Sequence, residues 1–192
     1  MSATPFRKLA SASFFLVACL ALDSCEALKF IRGKAALRKA QIAQARLDAN
    51  SLVVSVQAYH LDRASFPAAG DAGEDMRITT GTKLMSILTG SSKEHNPRKI
   101  KYFQSREAVG GKGGLSWELD DGRRSVRLLD PWGNEYFALF DSDLDGGITD
   151  PFDPEKKLLR GHKVIAWSAG PDRKTNPDPR HEDNADNIFS WR

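Results

Sequence analysis

The chain has 192 residues, 41% apolar and 28% charged, with a formal net charge of +3. That length holds one domain plus a targeting segment or tail, can bury a core without disulfide staples, and excludes a disordered or collagen-like chain. Arg7 and Lys8 supply two of the positive charges, which leaves no footprint for nucleic acid, and Cys19 and Cys25 are the only cysteines, so the body has neither a disulfide framework nor a cysteine zinc site.

Arg7 and Lys8 precede an apolar run from Leu9 to Leu22, closed by Asp23. A basic start followed by a short apolar stretch is the pattern of a secretory signal. The run falls short of the roughly 20 residues that a spanning helix needs. Leu16-Val17-Ala18-Cys19 also reads as a bacterial lipobox, which makes Cys19 the lipidation candidate; cleavage after Ala21 or Ala27 is the alternative. Residues 1–27 are therefore expected to be a signal or targeting segment, and 28–192 the folded domain. The expected location is exported, in the periplasm or cell envelope, with any membrane contact made through the N-terminus only.

From Leu28 to about Asp62 alanine, leucine, glutamine, lysine and arginine dominate and proline is absent, which predicts a helix over 28–63. Ile42, Ala45, Ala49, Leu52, Val53, Val56 and Tyr59 recur at three- and four-residue steps and form one apolar stripe. Arg38, Lys39, Arg46, Asp48 and Gln57 fall mostly off it. Phe66-Pro67 ends the helical pattern, because the residue before a proline is pushed out of the helical region.

Residues 68–124 form a variable middle. Thr82–Leu88 reads as a short second helix stopped by Gly90, and Ile100–Phe103 as a strand. Residues 105–124 read as a flexible loop, in which Gly110, Gly111, Gly113 and Gly114 surround Lys112 without the Gly-Lys-Ser/Thr ending of a phosphate loop. Four β-type runs follow over 125–192: Ser125–Leu129, Glu135–Phe140, Val164–Ser168 and Ile188–Trp191. Turn chemistry separates them. In the turn Asp130-Pro131-Trp132-Gly133-Asn134, proline fixes φ, glycine takes a positive φ, and Asp130 and Asn134 bond local backbone. A long helix packed on a small antiparallel sheet, an α+β arrangement, is the expected fold.

Three segments resemble the type IV pilin-like proteins, and among them the major pseudopilin of type II secretion. Lys39 to Pro67 looks like the second half of the pilin helix and its exit. Leu129-Asp-Pro-Trp-Gly-Asn-Glu-Tyr136 resembles the Asp-Pro-Trp-Gly-Asn-x-Tyr turn. Trp167-Ser-Ala-Gly-Pro-Asp172, with Asp183-Asn-Ala-Asp-Asn-Ile-Phe-Ser-Trp191, is similar to the C-terminal loop and last strand. The family's peptidase signature, a glycine and a phenylalanine-type residue with glutamate at the fifth mature position, does not occur here. The resemblance implies a pilin-like fold and a non-enzymatic subunit of a type II secretion or type IV pilus-like apparatus. Its partners would be other pseudopilin-like subunits or secretion apparatus proteins. A free-standing exported or lipid-anchored binding module that reuses the pilin head is the second reading.

Two loops offer the oxygen donors that calcium requires. The resemblance implies a calcium site in the loop from Ala169 to Asp186, with the side chains of Asp172, Asp183 and Asp186 and the carbonyls of Ala169 and Asn184. The weaker candidate is Asp141-Ser-Asp143-Leu-Asp145-Gly146-Gly147-Ile148-Thr149, which matches the first nine positions of an EF-hand-like loop. Its position 12 is Phe152 in place of glutamate, and Asp150 and Asp153 are the acids available to substitute.

No two of His60, His95, His162 and His181 share a metal-ligand spacing, and no Gly-x-Ser-x-Gly elbow occurs. The expectation is that the protein is not an enzyme and that His60 is a packing or surface residue.

Overall fold

Between Pro5 and Pro67 nothing in the sequence breaks a helix, and the computed structural model carries α1 unbroken from Leu9 to Arg63. The structure describes residues 9–67, 75–120 and 123–192. Arg7 and Lys8, and the side chains of residues 9–30 with Cys19 among them, lie outside what is described. The helix starts well before Leu28 because the residues of an apolar signal-like run are also good helix formers. It stops where expected. Ala64 takes a φ of 53°, its N–H still reaching the His60 carbonyl at 2.8 Å, and Phe66-Pro67 follows. Among the described residues no helix is long and apolar enough to cross a membrane.

Two compact units divide the chain, residues 1–41 and 42–192. In the first, residues 31–40 are all exposed. The second contains the core and every strand.

Within the second unit the stripe is buried as its spacing requires. Ala45, Ala49, Leu52, Val56 and Tyr59 are closed to solvent, while Ile42 and Val53 are half-buried. Asp48, which the sequence placed off the stripe, is buried as well. Its carboxylate accepts from Gln44 Nε2 at 2.8 Å and from the Tyr136 hydroxyl at 3.2 Å, which supplies the partners a buried acid needs.

The sheet that receives this helix has four antiparallel strands. They are β1 (Met76–Thr79), β4 (Phe137–Phe140), β7 (Val164–Ser168) and β8 (Ile188–Phe189), in the order β1-β4-β7-β8. Register pairs Met76 with Phe140, Phe137 with Trp167, and Trp167 with Phe189. Alternation along the strands sends Ala138, Phe140, Val164 and Ala166 into the cluster that holds the α1 stripe. Leu139, Ile165 and Trp167 enter a second cluster with Ile148 and Phe152, ringed by Phe137, Leu159, Phe189 and Trp191. With both faces covered, β7 is buried at every position, which is why it reads as a continuous apolar run.

Three expectations need correction. The run Ser125–Leu129 does not join this sheet. It belongs to β3 (Arg123–Leu129), which forms a hairpin with β2 (Gly114–Asp120) inside the stretch read as a flexible loop. Pairing along the whole of both strands orders a segment whose composition alone looks unstructured. The sheet region also extends beyond 125–192, since β1 lies in the variable middle. Finally, Ile100–Phe103 is not a strand. Asn96 gathers it, donating from Nδ2 to the carbonyls of Ile87 (2.8 Å) and Ile100 (2.7 Å) and accepting from Ile100 N at 3.0 Å. Phe103 N then donates to the Leu88 carbonyl at 3.0 Å, anchoring the segment on α2 (Thr82–Leu88), the short helix the sequence predicts.

A second hairpin, β5 (Gly147–Thr149) with β6 (Leu158–Arg160), fills the stretch between β4 and β7. Ile148 from β5 is fully buried and helps close the second cluster.

Candidate metal centre

The Asp130 turn fixes where the C-terminal loop begins. Asp130 is fully buried. Its Oδ1 accepts from the N–H groups of Trp132 and Asn134, both at 2.9 Å. Its Oδ2 accepts from Asn134 Nδ2 at 3.0 Å and from the Ser168 hydroxyl, at the end of β7, at 2.6 Å. Asn134 Nδ2 also reaches the Gly170 carbonyl at 3.2 Å. The motif is thus a structural rivet between the β3–β4 turn and the start of the Ala169–Asp186 loop.

Within that loop the expected ligands separate. Asp172 and Asp186 meet: Asp172 N–H donates to Asp186 Oδ2 at 3.2 Å. Burial, and then the nearby Asp172 charge, push the Asp186 carboxyl up against the opposing pull of backbone N–H groups. Asp183 turns elsewhere, with Lys174 Nζ at 3.5 Å. Ala169 is buried beside Gly170. The Asn184 side chain is fully engaged in holding the loop. It donates to the carbonyls of Asn176 (3.0 Å) and Asp178 (2.8 Å), and accepts from Asn176 N (2.9 Å) and Asn187 Nδ2 (3.1 Å). Its backbone carbonyl accepts from Asn187 N at 3.4 Å. Asp172 and Asp186 are the expected ligands that meet, with Asp172 Oδ1 accepting from Lys174 N at 2.8 Å, while Asp183 and the Asn184 amide are bound up elsewhere in the loop.

The other loop behaves differently. Asp141 leaves β4 and Asp75 enters β1, and the register that pairs Phe140 with Met76 brings these two aspartates to the same end of the sheet. Asp143 lies two residues further on. Carboxylate oxygens of Asp75, Asp141 and Asp143 all come within 4.8 Å of one another. Among the described residues these three form the only such group of acidic, histidine or cysteine side chains. Asp141 is 2% exposed, and neither its Oδ1 nor that of Asp75 has a hydrogen-bond partner. Burial raises both carboxyls above the ordinary range, and the charges that weigh most on them are other aspartates.

Asp145, the third acid expected here, is exposed and accepts from Gly147 N at 3.0 Å. Neither substitute from the sequence is available. Asp150 is buried and bonded to Trp191 Nε1 at 3.0 Å, to Arg192 at 2.7 Å and to Phe152 N at 2.9 Å. Asp153 caps its own turn through Glu155 N at 2.9 Å. The acid that joins the pair is Asp75, 66 residues before Asp141, which no local spacing could have indicated.

His60 stacks on Phe66 with ring centroids 4.3 Å apart, and burial lowers its pKa, as suits a packing residue. The chain matches no known family model, no curated protein and no solved structure.

Proposed function

We propose that the protein is a non-enzymatic, pilin-like structural subunit of a bacterial type II secretion or type IV pilus-like apparatus. It is exported to the periplasm or cell envelope and meets the membrane only through its N-terminal segment. The observation that carries this reading is the two-sided use of α1 within residues 42–192. One side is buried against the protein's own sheet. Another presents Leu47, Val54 and Leu61 at seven-residue intervals, 59%, 63% and 82% exposed. We read this row as the face that meets partners, which for a pilin-like subunit are its own copies and its relatives. The resemblance of the Asp130 turn and the C-terminal loop supports the same reading, with Asp172 and Asp186 the best-placed ligands for calcium in that loop.

Photo-crosslinking from Val54 and Leu61 in native envelopes tests it. Adducts with further copies of the chain or with other apparatus subunits are the expected result. Monomer alone at both positions, with the protein present at normal levels, overturns the assembly reading.

A further inference from the structure

We infer that Asp75, Asp141 and Asp143 hold a hard divalent cation, calcium in the first instance, and that this cation clamps the edge strand β1 onto β4. The inference is independent of the assembly reading.

The geometry has two parts. Three carboxylates converge from two separate segments of the chain. One of them, Asp141, is almost wholly buried, and an oxygen of it takes no hydrogen bond; the same holds for an oxygen of Asp75. A buried polar atom without a partner is rare in a native protein and calls for an ion or a water to complete it. A water satisfies a lone pair but leaves the repulsion among the carboxylates in place. A divalent cation answers both.

The donor set selects the class of ion. It contains carboxylate oxygen and neither imidazole nor thiolate, which disfavours zinc and suits calcium or its hard relatives. Two of the three ligands are positions 1 and 3 of the Asp-x-Asp-x-Asp-Gly pattern, whose calcium loops take their final bidentate acid from position 12. Here position 12 is Phe152, packed in the second cluster. Asp75 supplies the further carboxylate from a different strand.

This origin decides what the ion does. In an EF-hand every ligand comes from one loop, and binding orders that loop. In this protein the ligands straddle the β1–β4 pair. β1 has four residues and lies at the edge of the sheet, with β4 its one partner strand among the described residues. Joining Asp75 to Asp141 and Asp143 ties the entry of β1 to the exit of β4.

The test is hydrogen exchange on the full chain, first in chelator and then in millimolar calcium. The expected result is slower exchange at residues 76–79 and across 141–149 when calcium is added. Asp143→Asn should abolish the change without lowering the melting temperature in chelator, because Asp143 is exposed, its loss opens no cavity, and it removes one of the charges that repel Asp75 and Asp141. Asp75→Asn should do the same from the other strand. Each variant should lower calcium affinity by more than the ten- to hundredfold, roughly, that changes outside the ligand shell cost. Asp183→Ala should retain the effect at β1. The inference is overturned if calcium leaves wild-type exchange unchanged, if the protection survives in both Asp143→Asn and Asp75→Asn, or if it is confined to residues 169–186.

Discussion

The Tyr136 hydroxyl donates to Asp48 Oδ2 at 3.2 Å across the boundary between α1 and the sheet, with both side chains buried. This bond lets an acid sit inside the apolar stripe. Tyr136→Phe keeps the ring and removes the donor, leaving Asp48 with Gln44 alone. The expected loss is about 1–3 kcal/mol, the usual cost of a buried polar group short of a partner, read from chemical denaturation at neutral pH.

Burial raises the Asp48 carboxyl above its ordinary range, outweighing the hydrogen bonds from Gln44 and Tyr136 that lower it. An acid raised on folding supports the native state fully below its unfolded pKa of about 3.9 and withdraws that support as pH climbs through the raised value. Asp48 therefore makes stability fall from about pH 4 upward. Asp48→Asn keeps an acceptor for Tyr136 and does not titrate. The variant should match wild type near pH 3.5 and exceed it at pH 7. A variant that matches wild type near pH 3.5 but is weaker at pH 7 would show that Asp48 is stabilising as a carboxylate.

Leu52 is fully buried in the stripe and Leu61 is largely exposed on the same helix. Leu52→Ala should cost about 2–5 kcal/mol, as for other leucine truncations in a packed core. Leu61→Ala should fall within about 0.5 kcal/mol of wild type, as a surface change does. Denaturant midpoints for the two variants check the face assignment directly. Equal losses would contradict it.

Asp130 receives two backbone N–H groups, one amide and one hydroxyl, so Asp130→Ala strands several donors at once. A loss of about 3 kcal/mol or more is expected, since each buried group left unpaired costs on the order of 1–3 kcal/mol. Ser168→Ala removes only one of those donors and should cost clearly less. Comparing the two melts shows whether the turn acts as the joint between β3, β7 and the C-terminal loop.

Gly170 combines a φ of +69° with a backbone approach that leaves no room for a side chain. A Cβ there would lie 2.4 Å from the Asp186 carbonyl oxygen. Gly161 has a similar φ of +79° but open space around it. Gly161→Ala should cost only the roughly 1–2 kcal/mol of the left-handed conformation. Gly170→Ala should cost more and should loosen the loop ahead of β8, seen as faster hydrogen exchange over 171–187. Equal effects would mean that the close approach to Asp186 is not maintained in solution.

The sequence by itself determined the local features: the α1 stripe, the short α2 and the helix stop at Phe66-Pro67. It also marked Val164–Ser168, whose bounds as β7 agree residue for residue, and the turn whose Asp130 bonds nearby backbone, although the Asn134 amide reaches Asp130 and the distant Gly170 carbonyl instead. Each depends on neighbours a few residues apart, and periodicity reports such neighbours faithfully. Tertiary structure decided the rest. Only pairing with β3 makes a strand of the glycine-flanked β2, and only pairing with β4 makes one of Met76–Thr79. Tyr136, just ahead of β4 and far from α1 in sequence, supplies the second partner that lets Asp48 lie inside. The three-aspartate cluster shows the division most clearly, since Asp141 and Asp143 stood out by their spacing and Asp75 did not. Nothing local relates Asp75 to them; the register of β1 on β4 brings it there, and register is set by which strands fold together rather than by the residues on either side.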